Sequence, residues 1–305
     1  MQHTIEQRTD EEIRQAKKQF IKNRFVKAGR FIRGNKKLLV GGILLILIVG
    51  VAIFADQIAP YPYDQIGTST LRFAPPSAEH PFGTDHLQRD VFSRVVYGSR
   101  ISLTVGLICM AIGVGIGVPC GLLSGYLGGF VDMAFMRVCD LLQAIPYVLM
   151  AIVVTTVIGP GTQVVYVTMG LVHAPAILRL TRSMVLSVRE REYVDAAKQL
   201  GESRASIMFR YVLPNSSSAI IVRAVSILSG AVLSEAAISY LGYGTQPPMP
   251  SWGLMLTDSQ AYIYQDPMLA IFPGIAIVLL VISVNLFGDG LRDLLDPKFK
   301  GRVMN

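Results

Sequence analysis

The chain has 305 residues, 51% hydrophobic and 16% charged, with a mean hydropathy of +0.47. These values exclude an ordinary soluble domain, because several apolar runs reach the roughly 20 residues a helix needs to cross hydrocarbon. The net charge of +7 does not point to nucleic acid: eleven basic residues lie between Arg8 and Lys37, before the first apolar run, the placement of a cytoplasmic anchor. Cys109, Cys120 and Cys139 fall in or beside apolar runs without metal-ligand spacing, so neither a disulfide, a metal nor any cofactor is expected. There is no G-x-x-x-x-G-K-[ST] phosphate loop and no cluster of His, Cys or paired carboxylates, so the chain is read as a non-enzyme.

Residues 1–37 are charged, and Ile13, Phe20, Ile21, Phe25, Ala28 and Ile32 recur near helical spacing, which predicts a basic amphipathic helix on the inner membrane surface. The first span is Leu38 to Ala55. Residues 56–100 then form an extracytoplasmic loop, in which Arg89 to Arg100 is amphipathic enough for an interfacial helix. The five-helix core, 101–288, opens with a second span from Ile101 to about Tyr126. Gly113, Gly117, Gly121 and Gly125 recur every four residues on one face of it, the pattern that lets another helix approach closely.

A turn at Gly128-Gly129 leads to Asp132, Arg137 and Asp140, and then to a third span broken by Pro146. Arg137 and Asp140 are spaced to pair on one helix face. Ion pairs at this depth serve either as structural glue or as part of a translocation path. The fourth span runs from about Gln163 to Leu180 and contains His173, expected to be packed or hydrogen-bonded.

The segment from Arg189 to Asn215 is too polar to cross a bilayer. Glu192 to Leu200 reads as a short helix ended by Gly201. Ser203 then caps a second helix with the stripe Ile207, Met208, Tyr211 and Val212, and Pro214 is expected to stop it. The fifth span, Ser216 to Leu241, holds Arg223 near its inner end and Glu235 near its outer end, about 18 Å apart along a helix, so each needs its own partner. A stiff Pro/Gly-rich segment follows, tolerated at membrane depth only where it is buried or lines a cavity. The sixth span, Met268 to Phe287, leads to a cytoplasmic tail, 289–305. Six spans place both termini inside. The inner segments then hold eleven, one, seven and four Lys or Arg, and the outer ones four, none and none.

Several blocks carry a family resemblance. Glu192, Ala196, Ala197, Gly201, Leu213 and Pro214 match the EAA loop of ABC-importer permeases, E-x-x-x-A-A-x-x-x-G with a later L-P. His80 to Arg94 resembles the H-P-x-G-T-D-x-x-G-R-D-V-x-S-R signature of the dipeptide/oligopeptide branch, with Gln88 where that branch usually has Gly. Gly128 to Asp140, Glu235 to Gly253 and Gly288 to Pro297 resemble further blocks of the same branch.

The resemblance implies an all-α integral membrane protein of six transmembrane helices with a cytoplasmic helix-turn-helix coupling loop. It implies a permease subunit in the cell membrane of a prokaryote, on the path of dipeptides or oligopeptides. The implied partners are two cytoplasmic ATPase subunits that bind the EAA loops, a second, related permease chain and an extracytoplasmic solute-binding protein. The alternatives are another solute of the same branch (glutathione, a nickel chelate or an opine) or an ion-gradient-driven transporter. The last calls for carboxylate relays and internal repeats, whereas Glu235 is the one deep carboxylate evident in the sequence.

Overall fold

The computed structural model describes residues 34–159 and 161–295; the amphipathic helix expected before residue 34 and the end of the tail lie outside them. The described chain is helical: α1 (Lys36–Ile53), α2 (Ala55–Ile58), α3 (Val91–Leu127), α4 (Gly129–Ala144), α5 (Tyr147–Ile158), α6 (Thr162–Arg189), α7 (Glu192–Gln199), α8 (Arg204–Ile207), α9 (Leu213–Tyr240), α10 (Trp252–Gln260) and α11 (Met268–Leu295). Five helices are long and apolar enough to span a membrane, and a sixth span results if the bent pair α4–α5 counts as one.

Side chains from distant parts of the sequence fix the helix ends. Asn35 caps α1 by accepting from the Leu38 amide, and its amide group donates to Asp293 at the end of α11. Asp90 caps α3 through the Ser93 amide. α3 then runs unbroken to Leu127, so the amphipathic stretch expected as a separate interfacial helix is the first turns of the span itself. With Asp90 as cap, nothing between Val91 and Ile101 interrupts the backbone ladder.

The third span is more sharply broken than a kink. α4 and α5 meet at 85° across Ile145-Pro146. Ile145 is extended (φ −100°, ψ 127°), as the ring of a following proline requires.

Pro214 does not end a helix. α8, a π-helical turn (Met208–Val212) and α9 form one 37-residue rod, Arg204–Tyr240. A proline removes one i→i−4 donor and crowds the carbonyl four residues back. The wider turn absorbs that misfit: the Leu213 amide reaches back five residues to the Met208 carbonyl, and Asn215 Nδ2 donates to the Tyr211 carbonyl at 2.6 Å.

Three buried clusters hold the bundle. Val91, Leu103, Leu228, Val232, Trp252 and Leu280 join α3, α9, α10 and α11. Val105, Cys109, Met169, Ala231 and Ile238 join α3, α6 and α9. Leu122, Val185, Val194, Ala197, Ile207 and Val212 lie between the bundle and the 190–212 hairpin. The loop before α3 is tied down by charge. Asp85 accepts from the Leu87 and Arg89 amides and from Arg89 Nε, while Arg94 Nε lies 3.9 Å from Asp85 and its Nη2 lies 3.8 Å from Asp258 of α10.

Candidate functional site

The hairpin 190–212 is the most elaborate polar structure at its end of the bundle. Its turn is made by Gly201 at φ +80°, a left-handed conformation that costs an L side chain about 1–2 kcal/mol. The Gly201 amide donates to the Lys198 carbonyl and the Glu202 amide to the Ala197 carbonyl, closing α7. Ser203 caps α8 through the Ser206 amide. Glu202 accepts from Ser206 Oγ at 2.5 Å and from the Tyr211 hydroxyl at 2.7 Å, bracing the turn against the π-helical segment. These two donors hold the Glu202 carboxyl below its ordinary value of 4.5.

The two faces of the hairpin differ. Val194 and Ala197 are buried with Ile207, Met208 and Val212 against Leu122 and Val185. Ala197 therefore packs inward, onto the chain's own helices. The outer face presents Leu200 (83% exposed), Phe209 (62%) and Tyr193 (43%), apolar side chains that residue spacing alone did not single out. Glu192, Ala196 and Pro214 are exposed and Leu213 half-buried. Beside the hairpin lies a cavity of about 620 Å³, bordered by Tyr126, Arg189, Asp195, Lys198, Glu202 and Arg204.

The glycine face of α3 lies against α6. A Cβ on Gly117 would stand 2.7 Å from Ile177 Cβ and 2.8 Å from the Ala174 carbonyl oxygen, and one on Gly121 would stand 2.6 Å from the Leu178 carbonyl oxygen. Gly125 is similarly hemmed by Val185 and Arg182, whereas Gly113 has ordinary clearance, 3.5 Å from the Gly170 oxygen. Separations under 3 Å at backbone atoms leave room only for hydrogen.

The ionic residues fall into three groups. Asp132 accepts Arg182 Nε and Nη2 at 2.5 and 2.6 Å and Ser124 Oγ at 2.5 Å, a two-point pair joining α4 to α6. Asp140 takes Arg179 at 2.7 Å, and the Arg137 expected as its partner is the weaker one, 3.9 Å away with its side chain 78% exposed. Both members of the Arg179–Asp140 pair are exposed, at 44% and 53%.

Arg223 and Glu235 follow opposite rules. Arg223 is exposed on α9. Glu235 is fully buried, and its Oε1 accepts Ser239 Oγ at 2.6 Å and Thr245 Oγ1 at 3.0 Å, while Oε2 has no hydrogen-bond partner among the described residues. The Thr245 amide closes the network on Ser239 Oγ, so Glu235 anchors the segment that follows α9. A Cβ at Gly244 would collide with Ser239, which is why the segment folds back so closely. His173 is packed between Gly113 and Gly230, with its Nε2 unpartnered.

Comparison with known proteins decides the family. Residues 117–301 match the sequence model of the family described as binding-protein-dependent transport system inner membrane component. The chain belongs to this family. Residues 25–76 match a second model, the N-terminal TM domain of oligopeptide transport permease C. Among relatives of this permease family, the dipeptide transport system permease protein DppC of Alkalihalophilus pseudofirmus is 42% identical over 88% of each chain. The glutathione transport system permease protein GsiD of Shigella flexneri is also 42% identical, over 89% of this chain and 90% of that one. The permease fold is seen in a chain of the inward-facing MetNI methionine ABC transporter, with a TM-score of 0.57 at 18% identity, covering 67% of this chain and 97% of that one. The protein is thus a multi-pass component of a transport system, and the family resemblance of its residue blocks agrees with these matches.

Proposed function

We propose that the chain is one permease subunit of an ATP-driven importer for dipeptides or oligopeptides, in a prokaryotic cell membrane with both termini cytoplasmic. The observation that carries this reading is the similarity to a dipeptide permease along nearly the whole length of both chains. The glutathione permeases, similar over the same length, keep the substrate class at short peptides and their γ-linked relatives.

In this reading ATP is hydrolysed on two separate cytoplasmic subunits. The exposed apolar face of the hairpin, Leu200, Phe209 and Tyr193, is what each permease offers them; covering side chains of that size stabilises a contact by about 1.5–3 kcal/mol apiece. Glu192, Ala196, Ala197, Gly201, Leu213 and Pro214 act by shaping the hairpin, and Gly113, Gly117, Gly121 and Gly125 by seating α6. Asp132 and Asp140 tie α4 to α6, and Glu235 braces the segment after α9. A second, related permease chain completes the path, and a solute-binding protein docks at the opposite end.

The test is uptake of a radiolabelled dipeptide into proteoliposomes holding the chain with its co-expressed partners and binding protein. Uptake is expected to require ATP hydrolysis and to persist when ion gradients are collapsed. Uptake that follows an ion gradient without ATP would overturn the reading, and uptake of glutathione but not dipeptides would move the substrate.

A further inference from the structure

Arg223 and Arg292 are two cations that neither the hairpin nor the ion pairs use, and the fold places them beside one cavity. Arg89, Arg94, Arg100, Arg137, Arg179 and Arg182 each lie within 4.0 Å of a carboxylate, whereas Arg223 and Arg292, like Arg72 and the hairpin arginines, have no carboxylate that near among the described residues. Both border this cavity of about 520 Å³, between α6, α9 and α11, which Ser218 and Ser226 also line. Leu180, Val222 and Leu295 supply its apolar wall. The cavity thus combines two arginines, two serines and an apolar side in one recess.

Its depth is set by the helices. Arg292 is 24 residues beyond Met268, about 36 Å along α11, past the roughly 30 Å of hydrocarbon a span crosses. Arg223, 17 residues before Tyr240, lies about 26 Å from the far end of α9, within reach of the same boundary. The recess therefore opens where hydrocarbon meets headgroups, at the hairpin end. From Arg292 the exposed positions of α11 run through Asp289 and Asn285 to Ile282 and Val278, becoming apolar toward the membrane interior.

We propose that this recess binds one anionic phospholipid, its phosphate held by Arg223 and Arg292 and its acyl chains laid along the apolar stripe of α11. Basic pockets between membrane helices at the headgroup level are suited to such headgroups. The apolar wall favours a lipid over a free anion, since a small phosphate has nothing to place against Leu180, Val222 and Leu295. The inference does not depend on which peptide is carried.

The experiment uses the full chain, co-purified with its partner subunits and exchanged into nanodiscs of phosphatidylcholine with a minor fraction of phosphatidylglycerol. Lipid retained after delipidation is counted by native mass spectrometry. Selective retention of phosphatidylglycerol is expected, lowered about fivefold by Arg223→Gln or Arg292→Gln and more by both together, with phosphatidylcholine unaffected. Arg223→Lys, which keeps the charge, is expected to hold most of the lipid, and correct assembly is read from partner co-purification. Unchanged phosphatidylglycerol retention in the assembled double variant would overturn the proposal. Displacement of the lipid by millimolar inorganic phosphate would also overturn it, showing a small-anion site. A synthetic dipeptide competing for the same position would assign the recess to the substrate path instead.

Discussion

At the scale of single residues, the turn before α3 contains a testable strain. Gln88 has φ +62°, in the region where the permease branch uses glycine. The conformation is held because the Thr68 amide and hydroxyl both donate to the Gln88 carbonyl and the Gln88 amide donates to the Asp85 carbonyl. Gln88→Gly is therefore expected to stabilise the loop by up to about 1 kcal/mol, read as a higher Tm in detergent. A lower Tm would mean that the Gln88 side-chain bond to the Thr70 carbonyl outweighs the strain. Glu235 allows a sharper contrast. Glu235→Gln keeps an acceptor for Ser239 and Thr245, whereas Glu235→Leu strands two buried hydroxyls at about 1–3 kcal/mol in stability. Equal Tm values for the two variants would remove Glu235 as the anchor of the 241–251 segment. Glu202 gives the pH dependence. Its carboxyl is depressed in the folded hairpin by Ser206 and Tyr211, so its contribution is complete above the ordinary value of 4.5 and is lost as pH falls below it. Protection of the 200–212 amides, corrected for the intrinsic pH dependence of exchange, should fall on acidification below that value, and Glu202→Gln should flatten the change.

At the scale of elements, the hairpin and the α3–α6 seam make separable predictions. Gly121→Leu places a side chain against a backbone carbonyl 2.6 Å from its first carbon, so α6 must move away. Overpacking of that kind costs about 1–3 kcal/mol, expected as a lower yield of assembled complex on size exclusion. A normal yield would mean the seam can open freely. A Cβ at Gly201 meets nothing within 4 Å among the described residues, so the main cost of Gly201→Val is backbone strain, expected as lost coupling rather than lost assembly. The paired change Leu200→Ser with Phe209→Ser is expected to release the ATPase in a pull-down while leaving the membrane bundle intact. Retention of the ATPase by that variant would relocate the contact. Ala197→Asp, in contrast, should loosen the hairpin from Leu122 and Val185, because the residue is 3% exposed and faces inward.

At the scale of the whole molecule, topology is the decisive measurement. With the native cysteines replaced, cysteines introduced at Ser203 and Asp293 should label only from the cytoplasm, and those at Thr70 and Gln246 only from outside. The ends agree structurally: the start of α1 and the end of α11 meet, since Asn35 reaches Asp293 and a Cβ at Gly290 would stand 2.5 Å from Leu38 Cβ, and Ser218, just after the hairpin, borders one cavity with Arg292 and Leu295. External reactivity at Ser203 would reverse the orientation and with it the ATPase contact.

Residue order alone determined the class of the protein: apolar runs near membrane length, a basic N-terminal flank and local blocks such as Glu192 to Gly201 are short-range signals that survive without any knowledge of packing. The turn at Gly201 and the cap at Ser203 were legible for the same reason, because backbone conformation there is dictated within a few residues. Tertiary structure decided what depends on distant partners. Pro214 looked like a stop, yet the adjoining π-helical turn lets the rod continue, and local propensity cannot register an alternative hydrogen-bond ladder. Asp140 had Arg137 three residues away, but folding brought Arg179 nearer. Ala197 lies on α7 and Leu200 is the residue that caps its end, and only the position of Leu122 and Val185 beneath the hairpin turns the first inward and leaves the second to the outside.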